Sequence, residues 1–193
     1  RSTMITGLYP AWHHCWTIGV KLPEDVPTVG DLFQAHGYET TLVGKAHFQP
    51  LASAPGSESI ECQPILRDLD FWRSFHGPWY GFSHVETARM HTFESHAGQH
   101  YAIWMEEQGF AQWRDYFARW PHDSSDKYRG PQYTRGSLPW EIPAEMHHTH
   151  WVGERTIANM ERCVQAGKPF FHWASFFDPH PPYGVPEPWY SMY

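Results

Sequence analysis

Gly37-Tyr-Glu-Thr-Thr-Leu-Val-Gly-Lys-Ala-His-Phe48 is the stretch on which both fold and chemistry turn. Tyr38 to Val43 is rich in β-branched residues and reads as a buried strand. It closes at Gly44, after which Lys45 and His47 stand two residues apart. On an extended backbone both side chains leave on one face. A cation and an imidazole so placed can hold an anionic group and protonate its leaving oxygen. Just upstream, Thr28 opens a helical pattern through Val29, Leu32 and Phe33, and Asp31 completes an approximate capping box. Gly37 is the expected stop of that helix. Helix followed by strand is half of a βαβ unit.

Lys168 to Phe177 is a near-continuous apolar run and predicts a second buried strand. Asp178-Pro-His-Pro-Pro-Tyr183 follows it as a loop made rigid by its prolines, with His180 among them. The longest helical pattern, 148–166, precedes this strand, with Trp151, Ile157, Met160 and Val164 as its apolar face and Gly167 as its stop. Both strands thus deliver polar residues at their C-terminal ends, the edge where open α/β sheets bind ligands.

The rest of the chain is less periodic. Residues 1–9 read as a short helix with Met4, Ile5 and Leu8 on one side, ended by Pro10, and residues 10–27 as loop. A turn of helix fits 65–72, further helices fit 101–109 and 111–119, and 121–145 reads as an exposed excursion. The span 49–147 is therefore expected to contain a long insertion over the site. Its aromatic-rich part, His76 to His100, offers Trp79, Tyr80, His96 and His100 as candidates to line a sugar subsite, since flat rings stack on sugar faces. Packing of the loop onto the domain is the competing expectation.

The 193 residues suffice for one substantial core, and 41% hydrophobic against 18% charged residues describes a globular chain. Aromatics reach 17%, which suits either aromatic-walled clefts or a large aromatic core. A formal charge of −7 and the lack of a Lys/Arg cluster disfavour nucleic acid as a partner. No apolar run is long enough to span a bilayer. Cys15, Cys62 and Cys163 are far apart and show no Cys-x-x-Cys spacing. His13, His14 and Cys15, like His147, His148 and His150, lack the spacing of a structural zinc site, and exposed or helix-capping roles are preferred. Neither Gly-x-Ser-x-Gly nor His-Glu-x-x-His occurs. Gly37 to Lys45 is no phosphate loop, because its glycines are too far apart and Ala46 follows the lysine.

Four segments together carry a family resemblance. Arg1-Ser-Thr-Met-Ile-Thr-Gly7 is similar to the second half of the sulfatase signature, which runs Cys or Ser-x-Pro-x-Arg, two variable residues, two apolar ones, Thr and Gly. Gly37 to His47 resembles the second sulfatase signature, Leu22 to Phe33 the linker and helix between them, and Phe177 to Tyr183 the later His-Pro loop. They occur in the family's order from the first residue to near the last; Ala46 departs from the family's usual aromatic.

The resemblance implies an α/β fold, an alkaline-phosphatase-like sandwich whose central mixed, mostly parallel sheet is flanked by helices. Residues 1–193 would be a partial catalytic domain, internal to a larger enzyme that hydrolyses sulfate esters of a carbohydrate or small alcohol. In the family a Cys or Ser is converted by a maturation enzyme to formylglycine, whose hydrate attacks sulfur while Ca2+ polarises nucleophile and sulfate. By resemblance Arg1 steadies the hydrate, Lys45 binds a sulfate oxygen, His47 contacts the hydrate, and His180 binds sulfate or protonates the leaving alcohol. The nucleophile is expected four residues before Arg1. The calcium ligands, an Asp-Asp and an Asp-Asn, are expected outside this stretch, because the chain has no Asp-Asp pair and its single Asn159 follows Ala158. No metal is therefore expected on residues 1–193, which alone should be inactive. A phosphonate monoester or phosphodiester hydrolase of the same superfamily is the alternative, and a non-catalytic carbohydrate- or zinc-binding module a second. Many family members are exported, which points to a periplasmic or secreted location.

Overall fold

The structure, a computed structural model, describes residues 1–119 and 137–192. Its centre is a parallel sheet of β1 (Glu39–Gly44), β2 (His84–Thr87) and β4 (Phe170–Ser175), in the order β2-β1-β4. The helices are α1 (Ser2–Thr6), α2 (Pro10–His13), α3 (Val29–Ala35), α4 (Leu69–Ser74), α5 (Gln99–Glu107) and α6 (His148–Gln165). A separate parallel pair, β3 (Ser137–Pro139) and β5 (Tyr183–Val185), lies outside the central sheet. No helix among the described residues is long and apolar enough to cross a membrane.

The α3–β1 unit forms as its sequence predicts. Thr28 Oγ1 accepts from the Asp31 N–H, and the Thr28 N–H donates to Asp31 Oδ2 at 2.7 Å, so two amides at the helix start are satisfied reciprocally. All of β1 beyond Glu39 is buried, as befits a central strand flanked on both sides. β4 is only half-buried, contrary to expectation, because it occupies an edge position among the described strands.

Other expectations are corrected. Pro10 does not end a helix; it starts α2, where its missing N–H costs nothing. The first helix stops at Gly7, and of Met4, Ile5 and Leu8 only Ile5 is buried. β2, with three polar residues in four, escaped the sequence reading. It pairs with β1, so the span 49–147, expected to contain a long insertion, also carries a strand of the central sheet. Of the expected excursion, 121–136 lies outside the described residues, while 137–139 form β3. The expected 111–119 helix is a 3-10 turn over Trp113–Tyr116.

The face of α6 also differs. Trp151 is buried, but Ile157, Met160 and Val164 are 58%, 39% and 67% exposed. The helix instead buries His148, Val152, Asn159 and Cys163 alongside Trp151. Polar partnership selected that face: Asn159 Nδ2 and Arg155 Nε donate to the buried Glu86 of β2 at 2.8 and 2.6 Å.

Aromatics fill two cores. One gathers Tyr101, Trp104, Trp113, Phe117, Trp140 and Trp151 between α5 and α6. The other packs Leu22, Leu42, Phe48, Trp79, Tyr80 and Phe82 on the opposite side. A fully buried side chain such as Leu42 or Phe82 contributes roughly 1.5–3 kcal/mol. The aromatic content is thus largely core rather than cleft wall.

Candidate active site

Register places the site. Gly44 of β1 lies opposite Thr87 of β2 and Ser175 of β4, so the chains leaving all three strands meet at one edge. Gly44 is obligatory there. Its φ is +98°, and a Cβ would lie 2.2 Å from the Ser175 carbonyl oxygen. That close approach lets the Lys45 N–H donate to the Ser175 oxygen at 3.0 Å and Ser175 Oγ donate to the Lys45 oxygen at 2.7 Å. Arg1 Nη1 donates to the same Lys45 oxygen at 2.6 Å and to Ser175 Oγ.

Lys45 is only 3% exposed, and its Nζ has no hydrogen-bond partner among the described residues. His47 does not share its face through strand alternation, since β1 ends at Gly44 and His47 has φ +58°. The left-handed turn is held by Glu61, whose carboxylate accepts the N–H groups of His47, Phe48 and Gln49 at 2.9, 2.8 and 2.7 Å. Glu61 is buried and pairs with Arg89, Nε to Oε1 3.5 Å. Burial pushes the Glu61 carboxyl up, and Arg89 together with the three amides opposes that.

Arg89 was not singled out by sequence reasoning. It is 2% exposed, its Nε lacks a hydrogen bond among the described residues, and it follows β2 as Lys45 follows β1. A signal existed: Arg89-Met-His91 repeats the cation-x-His spacing of Lys45-Ala-His47. The strand that would have given that repeat meaning was the one missed.

The electrostatics follow from this crowding. Burial, with Arg89 and Arg1 adding to it, holds the His47 imidazole down at about 3, so it is neutral near pH 7. Burial and Arg89 pull the Arg1 guanidinium down while Glu61 opposes them. Glu61 is the carboxylate that pairs with this group of three cationic side chains among the described residues. Buried charges need partners, so the edge is short of negative charge. A cleft of about 280 Å3 opens beside Arg1 and His47.

His180 lies in the loop after β4, exposed, with Nδ1 2.6 Å from the Pro181 carbonyl oxygen. Its charge is felt at His47, and its ring stacks on His91. Arg1, Lys45, His47 and His180 are therefore brought together, and Arg89, Glu61, Ser175 and His91 join them.

The proposed sugar subsite is not assembled. Trp79 and Tyr80 are 6% and 5% exposed and pack on Phe48. The Tyr80 hydroxyl donates to the Leu22 carbonyl at 2.6 Å, and burial pushes its pKa well up. His100 is enclosed, accepting from the Thr87 N–H at Nδ1 and meeting the Phe75 carbonyl at Nε2. His96 is partly buried near Glu94. For Trp79, Tyr80 and His100 the packing alternative holds, because all three are buried and the polar atoms of Tyr80 and His100 have their partners inside.

Larger concavities lie elsewhere. One of about 370 Å3 surrounds Glu86, and one of about 880 Å3 is bordered by His147, Asp178 and Tyr183. Ligand atoms of His147, His148 and Asp178 come within 4.8 Å of one another. His147 Nδ1, however, accepts the Thr149 N–H and caps α6, and Asp178 accepts from Thr149 Oγ1 at 3.3 Å. His147 thus does the helix-capping expected of the 147–150 cluster, whereas His148 is neither exposed nor a cap: it is buried, and its Nε2 has no hydrogen-bond partner among the described residues. Calcium takes oxygen ligands, and the edge holding Lys45, Arg89 and Arg1 offers it cations instead, so the residues described here do not fit that ion.

A family profile described as Sulfatase matches residues 1–193. The chain is 23% identical over 197 residues to the multifunctional alkaline phosphatase superfamily protein PehA of Trinickia caryophylli, covering 100% of itself and 33% of that protein. It is 22% identical over 193 residues to the uncharacterized sulfatase YidJ of Escherichia coli (strain K12), covering 31% of that protein. In structure it resembles the phosphonate monoester hydrolase SpPMH from Silicibacter pomeroyi, with a TM-score of 0.60 at 22% identity, covering 100% of itself and 34% of that chain. The chain thus spans about a third of the length of these relatives.

Proposed function

The chain belongs to the sulfatase family, and on that premise we propose that it supplies the anion-binding half of an active site that hydrolyses sulfate esters. The observation that carries this reading is the buried Lys45 Nζ, which has no hydrogen-bond partner among the described residues, at the strand edge that also carries Arg89 and Arg1, where Glu61 is ion-paired to Arg89. A sulfate group would satisfy that donor and supply the missing negative charge.

In this reading Lys45 and Arg89 hold non-bridging sulfate oxygens and stabilise the charge that shifts in the transition state. Arg1 orients the nucleophilic side, and formylglycine, made by a maturation enzyme four residues upstream, supplies the attacking oxygen when present. His47, kept neutral, can take up a proton there. His180 faces the leaving oxygen. Its Nδ1–H is committed to the Pro181 carbonyl, so the proton it can give stands on Nε2, and only in the doubly protonated ring. The substrate would be a sulfated carbohydrate or small alcohol.

A phosphonate monoester or phosphodiester hydrolase is the second reading, favoured by the likeness to SpPMH. The two separate on assay of the complete polypeptide with 4-nitrophenyl sulfate, a phenylphosphonate monoester and bis(4-nitrophenyl) phosphate. Preference for the sulfate, lost in Lys45→Ala and His47→Ala, is expected. Preference for either phosphorus ester would replace this reading, and retained ligand binding without turnover would favour a binding module.

A further inference from the structure

The turn after Arg89 carries a carboxylate–imidazole pair to which the proposed mechanism gives no task. His91 Nδ1 and Glu94 Oε2 are 2.7 Å apart, and the Glu94 N–H donates to the His91 carbonyl at 2.9 Å. Burial works against the Glu94 charge, but hydrogen bonds from His91 and His96 prevail and hold the carboxyl down at about 2. His91 Nε2 is buried and has no partner among the described residues. A carboxylate that holds one ring nitrogen fixes both the orientation and the tautomer of an imidazole.

What His91 faces is the ring of His180. Their centroids are 3.6 Å apart and the planes are inclined by 13°. The next two residues grip the same loop. Thr92 Oγ1 donates to the Pro182 carbonyl at 2.6 Å, although this β-branched residue must adopt φ +45° to do so. Strain of that kind persists only where surrounding structure enforces it, and it gathers at functional sites. Gly184 lies against Thr92 and Phe93; a Cβ there would come within 2.2 Å of Thr92 Cγ2 and 2.9 Å of the Phe93 ring. Three consecutive residues therefore form a platform under the His180 loop. His180 is exposed and its own loop holds only Nδ1, so the stacked ring of His91 adds the face contact that fixes its plane.

We propose that His91, oriented by Glu94, is a positioning residue that holds the His180 ring in line with the leaving oxygen of the substrate. This rests on the reading of His180 as the group that protonates that oxygen. A ring held by stacking keeps its nitrogen at the productive distance, and misplacement by about 1 Å can cost about 100-fold in rate.

The test compares leaving groups in the complete enzyme. An alkyl sulfate expels a poor leaving group that needs a proton, whereas 4-nitrophenyl sulfate expels a good one that does not. Absence of wild-type turnover on both would sink the sulfatase reading before this inference is reached. With an active wild type, His180→Ala sets the reference pattern, a larger kcat loss on the alkyl ester. His91→Ala is expected to follow it, with about 10-fold lost on the alkyl ester and under about 3-fold on the aryl ester. His91→Phe, which keeps a flat ring without a titratable nitrogen, should recover most of the alkyl activity. His91→Ala added to His180→Ala should cost nothing further, because both act through one group. Equal losses on both esters, a Phe variant no better than Ala, or additive losses would each overturn the proposal. Thermal melts verify folding, and Glu94→Gln carries the same leaving-group comparison if His91→Ala does not fold.

Discussion

Two places beside β2 bury charge, and they are built oppositely. On one side of the strand Glu86 is surrounded by partners: Arg155 Nε and Nη2 at 2.6 and 3.2 Å, Asn159 Nδ2 at 2.8 Å and His84 Nε2 at 3.2 Å. Despite its burial these hydrogen bonds hold the Glu86 carboxyl well below the usual carboxylate range. At the C-terminal edge, one to two residues past the strands, Lys45 and Arg89 are more deeply buried and less well partnered. A satisfied network fixes a structure, whereas a buried cation without a hydrogen-bond partner is a candidate place for an anionic ligand. The cavity beside Glu86 is larger than the cleft at Arg1 and His47, so size alone does not lead to the unpartnered cations.

The largest expected effect separates rate from stability. Lys45→Met keeps length and removes the unpartnered amino group. It should lower kcat/KM by about 100- to 1,000-fold, as removal of a preorganised donor does, without lowering the melting temperature. A variant that loses stability along with activity would show that Lys45 is paired in the working protein.

Glu86→Ala should behave in the opposite way. It leaves Arg155 and Asn159 without their acceptor, and a loss of about 3 kcal/mol in urea unfolding is expected. That is the low end for a buried pair, because the Arg155 side chain is 34% exposed. Turnover per folded molecule should stay near wild type, and a selective fall in rate would tie the Glu86 cluster to the site.

Inorganic sulfate sharpens the contrast. At 100 times its dissociation constant it should stabilise the wild type by about 2.7 kcal/mol, read as a shift in melting temperature. Glu86→Ala should retain that shift and Lys45→Met should lose it. A shift equal in all three proteins would place the ion elsewhere.

The smallest effect is a pH dependence at His47. Its folded pKa, about 3, lies below the ordinary value of 6.5, so between the two the unfolded chain binds the extra proton. Its stabilising contribution is complete above about pH 6.5 and declines as pH falls toward 3. Between pH 7 and 5.5 the wild type should lose about 1 kcal/mol more than His47→Asn, whose side chain tolerates the left-handed backbone. Bound sulfate should shrink the difference, since an anion favours the protonated ring. Identical pH profiles would mean that His47 is not buried as a neutral group.

Legibility tracked local information. The capping box at Thr28 and the apolar β1 could be read directly, because their signals lie within a few residues. β2 could not, since His84-Val-Glu-Thr87 becomes a strand only through its pairing with β1. The apolar stripe of α6 misled for a related reason: Glu86, distant in sequence, decides which face turns inward. Trp79 and Tyr80 had the composition of a sugar platform, and burial against Phe48 made them core.

By itself, then, the sequence determined an α/β chain with strand-end polar residues and, through its signature-like segments, its family; Lys45, His47 and His180 stood out by their places after the strands, and Arg1 through the resemblance. Tertiary structure decided which groups join them. Arg89 and His91 reach the site because the parallel register aligns Gly44 with Thr87, and Glu61 because a turn with positive φ at His47 aims three amides at one carboxylate. Such contacts depend on strand alignment and on the burial of charge, and neither is a property of any short stretch of sequence.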